Sequence, residues 1–147
     1  MKNVYILGGL RTPIVVKNGK FRNIRPEHFG AKVLQKLIEK YQLKNIDGIF
    51  AGNAVGTGGN IARLMSLEAG ISDNVPACTI DMQCASSAAA IDIARMKITC
   101  GNGDLFLAGG MESSSLQPLR IYDTKDDRYM QIPGGCYKAA QFSPGEL

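Results

Sequence analysis

The 147-residue chain has a single histidine, His28, and its four cysteines, Cys78, Cys84, Cys100 and Cys136, include no CxxC pair. That scarcity argues against both a disulfide framework and a zinc site. Nowhere is there a run of about eighteen apolar residues able to cross a membrane, and the opening MKNVYILGGLRTP is too short and wrongly flanked for a signal peptide. A cytoplasmic protein is therefore expected. An excess of one charge sign is also lacking: 17 basic residues stand against 13 acidic ones, a formal +4, and the basic ones are scattered rather than striped with aromatics. Nucleic-acid binding loses its support. The small excess reads as solvation, with attraction of an anionic substrate such as a phosphorylated carrier as the alternative.

What is present is the balance of one soluble globular domain, 45% hydrophobic and 20% charged. Asn3 to Leu7 forms a strand-like run closed by Gly8 and Gly9, and Lys17 to Arg25 reads as a loop. Pro26 suits the first turn of a helix in which Phe29, Val33, Leu34, Leu37, Ile38 and Tyr41 recur at helical spacing, with Glu27 at the positive end of the dipole. Asp47 to Ala51 is a second strand, followed by the glycine-rich GNAVGTGGN. Asn60 to Ala69 makes a short helix with Gly70 at its C′ position. Ala77 to Asp81 is a third strand and Leu105 to Ala108 a fourth. Between them, the alanine-rich stretch from Ala85 to Thr99 predicts a helix packed closely on both flanks and ended by Gly101.

The order β-α-β-α-β-α-β with short connections predicts a layered α/β fold with a mainly parallel sheet and right-handed crossovers. From Ser113 to Leu147, with DTKDDR, Pro133-Gly134-Gly135 and Pro144-Gly145, no helix or strand is evident. A structureless stretch of that length is foreign to a compact domain. Residues 1–115 are accordingly expected to form one domain and residues 116–147 the start of an inserted loop region cut short.

The candidate chemistry lies at Met82-Gln83-Cys84-Ala85-Ser86-Ser87, where the third strand hands over to the third helix. Ligands of open α/β sheets bind at the carboxyl ends of strands. A cysteine there also meets the amino end of a helix, whose unpaired N–H groups and dipole favour thiolate over thiol and can bind an oxyanion formed by attack on a carbonyl. Ala85, Ser86 and Ser87 are small enough to admit substrate. On position alone a buried structural cysteine is the commoner reading, and Cys78, near the start of a strand, Cys100, at a helix end, and Cys136, after a Gly-Gly turn, keep it.

Four segments carry a family resemblance. DMQCASSAAAI resembles the thiolase nucleophile segment, GGMESSS (Gly109 to Ser115) resembles the thiolase GGMESMS signature, Arg11-Thr12-Pro13-Ile14 with Phe21 is similar to the family's opening, and GNAVGTGGNIARLMSLEAGI to its loop and helix. Each also has a purely structural reading, such as a strand end, a turn or close packing at glycine. Their order and spacing over residues 3 to about 117 identify the chain as the amino-terminal portion of a thiolase-family enzyme. Ser87 departs from the glycine usual there, and Asp81 from the frequent asparagine.

The resemblance implies an incomplete thiolase-like amino-terminal half with Cys84 as acyl-accepting nucleophile, Met111 as a wall that touches substrate and Glu112 as an anchor. It implies Claisen condensation or thiolysis of acyl-CoA thioesters of the acetyl-CoA C-acetyltransferase type, within fatty acid metabolism, with coenzyme A thioester as substrate and no other cofactor. It also implies a homodimer or homotetramer. The bases that thiolases place in their carboxyl-terminal half, a GHP histidine and a CxG cysteine, have no counterpart here, and His28 reads as a solvated surface residue. The isolated chain is therefore expected to lack turnover. Three alternatives stand beside this reading. CASS followed by AAAI is reminiscent of ketoacyl synthases using a carrier protein, a non-catalytic thiolase-fold binding module is the non-enzyme reading, and a dinucleotide site is disfavoured because no GxGxxG follows the first strand.

Overall fold

The computed structural model describes residues 2–56 and 59–138; Thr57-Gly58 in the glycine-rich loop and Pro144-Gly145 lie outside them. Helix α1 (Pro26–Tyr41) starts at the predicted proline and stops where Gln42 turns left-handed. Strand β1 (Gly48–Gly52), helix α2 (Ile61–Glu68), strand β2 (Ala77–Ile80), helix α3 (Ser86–Thr99) and strand β3 (Phe106–Gly110) follow, each within two residues of its expected bounds. The strands form a parallel sheet in the order β2-β1-β3.

Strand alternation divides this sheet into two unlike faces. Ile49, Ala51, Leu107 and Met111 join Ala31 and Leu34 of α1 and Ile61, Ala62 and Met65 of α2 in the core. Where α3 begins, the opposite face is built from small residues. Ser86, Ala90 and Ala94 form the buried stripe of α3, and it lies so close that a Cβ on Gly52 would stand 2.6 Å from the Ser86 carbonyl carbon and the Ser87 nitrogen. Further along that face, Phe50 and Phe106 stack with centroids 5.7 Å apart.

Polar ties set the register at each end. Asn60 caps α2 by accepting from the Arg63 amide and donates from Nδ2 to the Ala77 carbonyl at 2.8 Å. Arg63 reaches the Val75 and Asp73 carbonyls, both at 2.8 Å. Asn60 and Arg63 of GNAVGTGGNIAR thus tie α2 to β2 and to the turn that leads into it. At the opposite edge the Asp47 carboxylate accepts the Asp104 and Leu105 amides at 2.7 and 3.0 Å. Those two backbone N–H groups hold its carboxyl below the usual 3.8.

Three expectations need correction. Asn3 to Leu7 forms no strand and pairs with none among the described residues, and Tyr5, Ile6 and Leu7 are 75, 88 and 66% exposed. Its composition is that of a strand, but a strand exists only where a neighbour takes its backbone groups. Helix α3 is packed on one flank rather than two, leaving Ile91 and Met96 half exposed, because the sheet offers its stripe a single surface. The stretch after Ser113 is not structureless. Strands β4 (Leu119–Ile121) and β5 (Cys136–Lys138) pair antiparallel around a short helix, α4 (Asp127–Gln131). Its cap Asp126 is held at about 2 by its hydrogen bonds from Arg128, a local device that hydrophobic periodicity does not register.

Two predictions follow from this packing. Gly52→Ala should cost about 1–3 kcal/mol in urea unfolding because the atoms in its way are backbone, whereas Gly109→Ala, with nothing within 4 Å of its Cβ, should stay within about 0.5 kcal/mol of the parent. A carboxyl held low in the folded state stabilises above its unfolded value of 3.8 and loses that contribution as pH falls through the lowered value. The urea midpoint of the parent should therefore fall more steeply below about pH 4 than that of Asp47→Asn.

Candidate active site

All three strands of the parallel sheet deliver their carboxyl ends to one edge, where residues 53–56, 81–85 and 111–115 meet. Asn53 joins them from its buried position after β1. Its amide donates to the Ile80 carbonyl at 3.0 Å, and its Nδ2 donates to the Met111 carbonyl at 2.9 Å and to Glu112 Oε1 at 3.0 Å. The Met111 amide returns a bond to the Gly52 carbonyl at 3.1 Å.

Glu112 completes the junction. Its Oε2 accepts the Ala54 and Val55 amides at 2.9 and 2.8 Å, while Oε1 also accepts the Ser113 amide at 3.2 Å. The anchoring role expected of Glu112 is what its geometry provides. Successive amides of a glycine-rich loop can cradle a phosphate, but at Ala54 and Val55 they are spent on the protein's own carboxylate, which removes physical support for a nucleotide reading of this loop.

At the next loop Asp81 Oδ1 accepts the Gln83 amide at 3.0 Å, and Gln83 takes φ +51°, the left-handed conformation that non-glycine residues rarely adopt. Ser86 Oγ then donates to the Gln83 carbonyl at 2.6 Å and accepts the Met82 amide at 2.8 Å. The chain reverses sharply and Cys84 emerges exposed, two residues ahead of α3. No side chain caps that helix, and its Ser86 N–H is taken by the Gln83 carbonyl at 3.1 Å. Among the described residues nothing buries Cys84. Cys78 is exposed as well, on a strand at the sheet's edge, and so does not sit in the buried strand expected for it.

The two departures from the thiolase pattern have local accounts. Asp81 supplies the same kind of acceptor oxygen an asparagine would offer the Gln83 amide. Ser87 fits because Gly110 lies beneath it, where an added Cβ would collide with the Ser87 hydroxyl.

Met111 and Cys84 are not brought together. Met111 is 7% exposed within the α1/α2 core, while Cys84 belongs to the α3 layer on the other face. His28 is likewise remote in the fold and is not simply solvated: its Nδ1 lies 2.5 Å from Glu68 Oε1, and its Nε2 accepts from Arg25 Nε at 2.9 Å. This pattern makes it a clamp between α1 and α2. Asn53 carries no local sequence signal of this role, since an asparagine that follows a strand in a glycine-rich stretch reads as an ordinary loop residue.

The site is thus an exposed cysteine at a strand-turn-helix elbow on the carboxyl edge of a parallel α/β sheet. In comparison with known proteins, residues 4–132 match the family description "Thiolase, N-terminal domain", and the chain belongs to the thiolase family. It is 34% identical over 146 residues to "Putative acetyl-CoA C-acetyltransferase VraB" of Staphylococcus haemolyticus and 36% identical to the protein of the same name from Staphylococcus aureus strain COL, covering 98% of this chain and 38% of each relative. The crystal structure of the Bacillus anthracis acetyl-CoA acetyltransferase superposes with a TM-score of 0.70 at 29% identity, over 74% of this chain and 29% of that one. The chain thus spans about two fifths of the length of these curated relatives.

Removing the Glu112 carboxylate leaves four donors without their acceptor. Glu112→Ala should therefore destabilise by about 1–3 kcal/mol and speed amide exchange at Ala54 and Val55 far more than at Leu107, read by hydrogen-exchange mass spectrometry.

Proposed function

We propose that this chain carries the nucleophile of a thiolase-type acyl transfer, with Cys84 as the group that takes the acyl chain. The observation that carries the reading is the exposed Cys84 held by the Asp81-Gln83-Ser86 turn ahead of an uncapped helix. The Cys84 thiolate attacks the carbonyl of an acyl-CoA thioester, the carbon–sulfur bond to coenzyme A breaks, and the departing CoA thiolate takes up a proton. The amino end of α3 stabilises negative charge on both the sulfur and the oxyanion. Condensation follows when an acetyl-CoA carbanion attacks the acyl-enzyme; thiolysis is the reverse.

On this reading the substrates are acyl-CoA molecules of fatty acid metabolism, no further cofactor takes part, and the working protein is a cytoplasmic homodimer or homotetramer. No helix among the described residues is long and apolar enough to cross a membrane, which agrees with that setting. Residues 1–115 act as the nucleophile domain and 116–147 as the start of the inserted region. Met111 serves chiefly as a wall, through its core side chain and its backbone bonds to Asn53 and Gly52. Sustained turnover requires an activating base and a base for the α-proton, and the one histidine is committed to Glu68 and Arg25. The 147 residues alone therefore accept an acyl group without sustained turnover.

Incubation with acetyl-CoA followed by peptide mapping by mass spectrometry tests this. Cys84 should carry acetyl in excess of Cys78 and Cys100 by on the order of tenfold, Cys84→Ser should carry none at that position, and thiolysis of acetoacetyl-CoA should be undetectable. Equal labelling of every exposed cysteine, or none at Cys84, would sink the proposal.

A further inference from the structure

Residues 1–44 hold ten of the 17 basic residues and two of the 13 acidic ones, so the positive charge of the chain is concentrated at its start. The fold gathers part of it. Lys32, Lys36 and Lys40 recur at every fourth residue of α1, and at a rise of about 1.5 Å per residue they leave one side of the helix about 6 Å apart. They line a trough of about 650 Å³, which Arg11 enters from the N-terminal segment and to which Leu10 and Val33 supply apolar surface.

These four cations are exposed and mostly not neutralised from within. Arg11, Lys32 and Lys40 form no ion pair among the described residues: Arg11 donates to the neighbouring Thr12 carbonyl, Lys32 to the Gln35 side chain at 3.2 Å, and Lys40 lies over the Tyr41 ring. Lys36 has a carboxylate partner, Glu39 at 2.6 Å. Cations from two separate elements thus converge on one concave surface, and their charge is left for a second molecule to meet.

We propose that this trough docks an acidic helix of a partner protein, its glutamates one turn apart against Lys32, Lys36 and Lys40 and its leucines against Leu10 and Val33. Carboxylates at every fourth residue of a helix repeat at the same spacing of about 6 Å as the lysines, and the apolar lining suits the helix-in-groove mode of recognition. A single-stranded nucleic acid matches the charge but finds no aromatic ring in this lining on which to stack a base. The inference goes beyond the acyl-transfer reading and is independent of it. Because α1 and Cys84 belong to opposite faces of the sheet, a partner seated here leaves the thiol open.

The probe is the peptide AEAALEAALEAALEAA, labelled with fluorescein at its amino end and titrated with the full chain at low salt, with binding read by fluorescence anisotropy. Replacing Lys32, Lys36 and Lys40 together by Gln should weaken binding by at least about tenfold, and Arg11→Gln, which leaves α1 untouched, by about two- to threefold. Removing the same charge elsewhere, with Lys17, Lys20 and Arg22 changed to Gln, should alter the Kd by less than about twofold, because exposed charges beyond a Debye length are screened. A peptide with Gln for every Glu should not bind, and one with its glutamates spread round the helix should bind at least about fivefold more weakly. Equal weakening by the two triple variants overturns the proposal in favour of net charge alone, and equal binding of the scrambled peptide does so for want of register. An oligothymidylate that binds more tightly than the peptide, and loses that binding in the α1 triple variant, overturns it in favour of a nucleic acid.

Discussion

Asn53 sits where three parallel strands end, and the geometry of the candidate site depends on its amide groups being satisfied there. Its backbone N–H holds the end of β2, its side chain holds the end of β3 and the Glu112 carboxylate, and it is itself the residue after β1. A buried amide that loses such partners leaves polar groups stranded at about 1–3 kcal/mol each. The three loops at this edge are consequently placed relative to one another by one residue and its carboxylate partner. Glu112 extends that control outward by taking the loop amides that would otherwise seek water or an anion.

From this edge Cys84 is positioned by steric permission. Glycine at 52 and 110 lets α3 lie against the sheet, and the small stripe Ser86, Ala90 and Ala94 is what can lie there. Ser86 takes part in both tasks, since its hydroxyl closes the turn while its body is buried. A turn held by Asp81 and Ser86 permits Gln83 its left-handed conformation, and that conformation turns Cys84 outward. The exposure of the sulfur is thus a consequence of packing two residues further along, at the first buried turn of α3.

The periodicity of α1, the capping asparagine and terminal glycine of α2, and the apolar runs of β1 to β3 were legible because each is a local signal with its own cause: helical spacing, cap hydrogen bonding, or a buried strand between turn residues. The pairing around α4 was not, since three-residue strands and a five-residue helix carry too little pattern to separate from loop. The N-terminal run misled in the opposite sense. Asn3 to Leu7 has the composition of a strand, but pairing requires a partner, and among the described residues none is adjacent.

Cys84, its neighbours and the motif spacing were determined by the sequence alone, because the chemistry of a thiol at a strand-to-helix junction is written in adjacent residues. So was Glu112 as an anchor, through the motif it belongs to. What it anchors, the keystone position of Asn53 and the placing of Met111 and Cys84 on opposite faces of the sheet were decided only by tertiary structure. Those relations join residues some thirty to sixty positions apart, and they arise when parallel pairing brings separate strand ends to one edge, where burial obliges each polar group to find its partner.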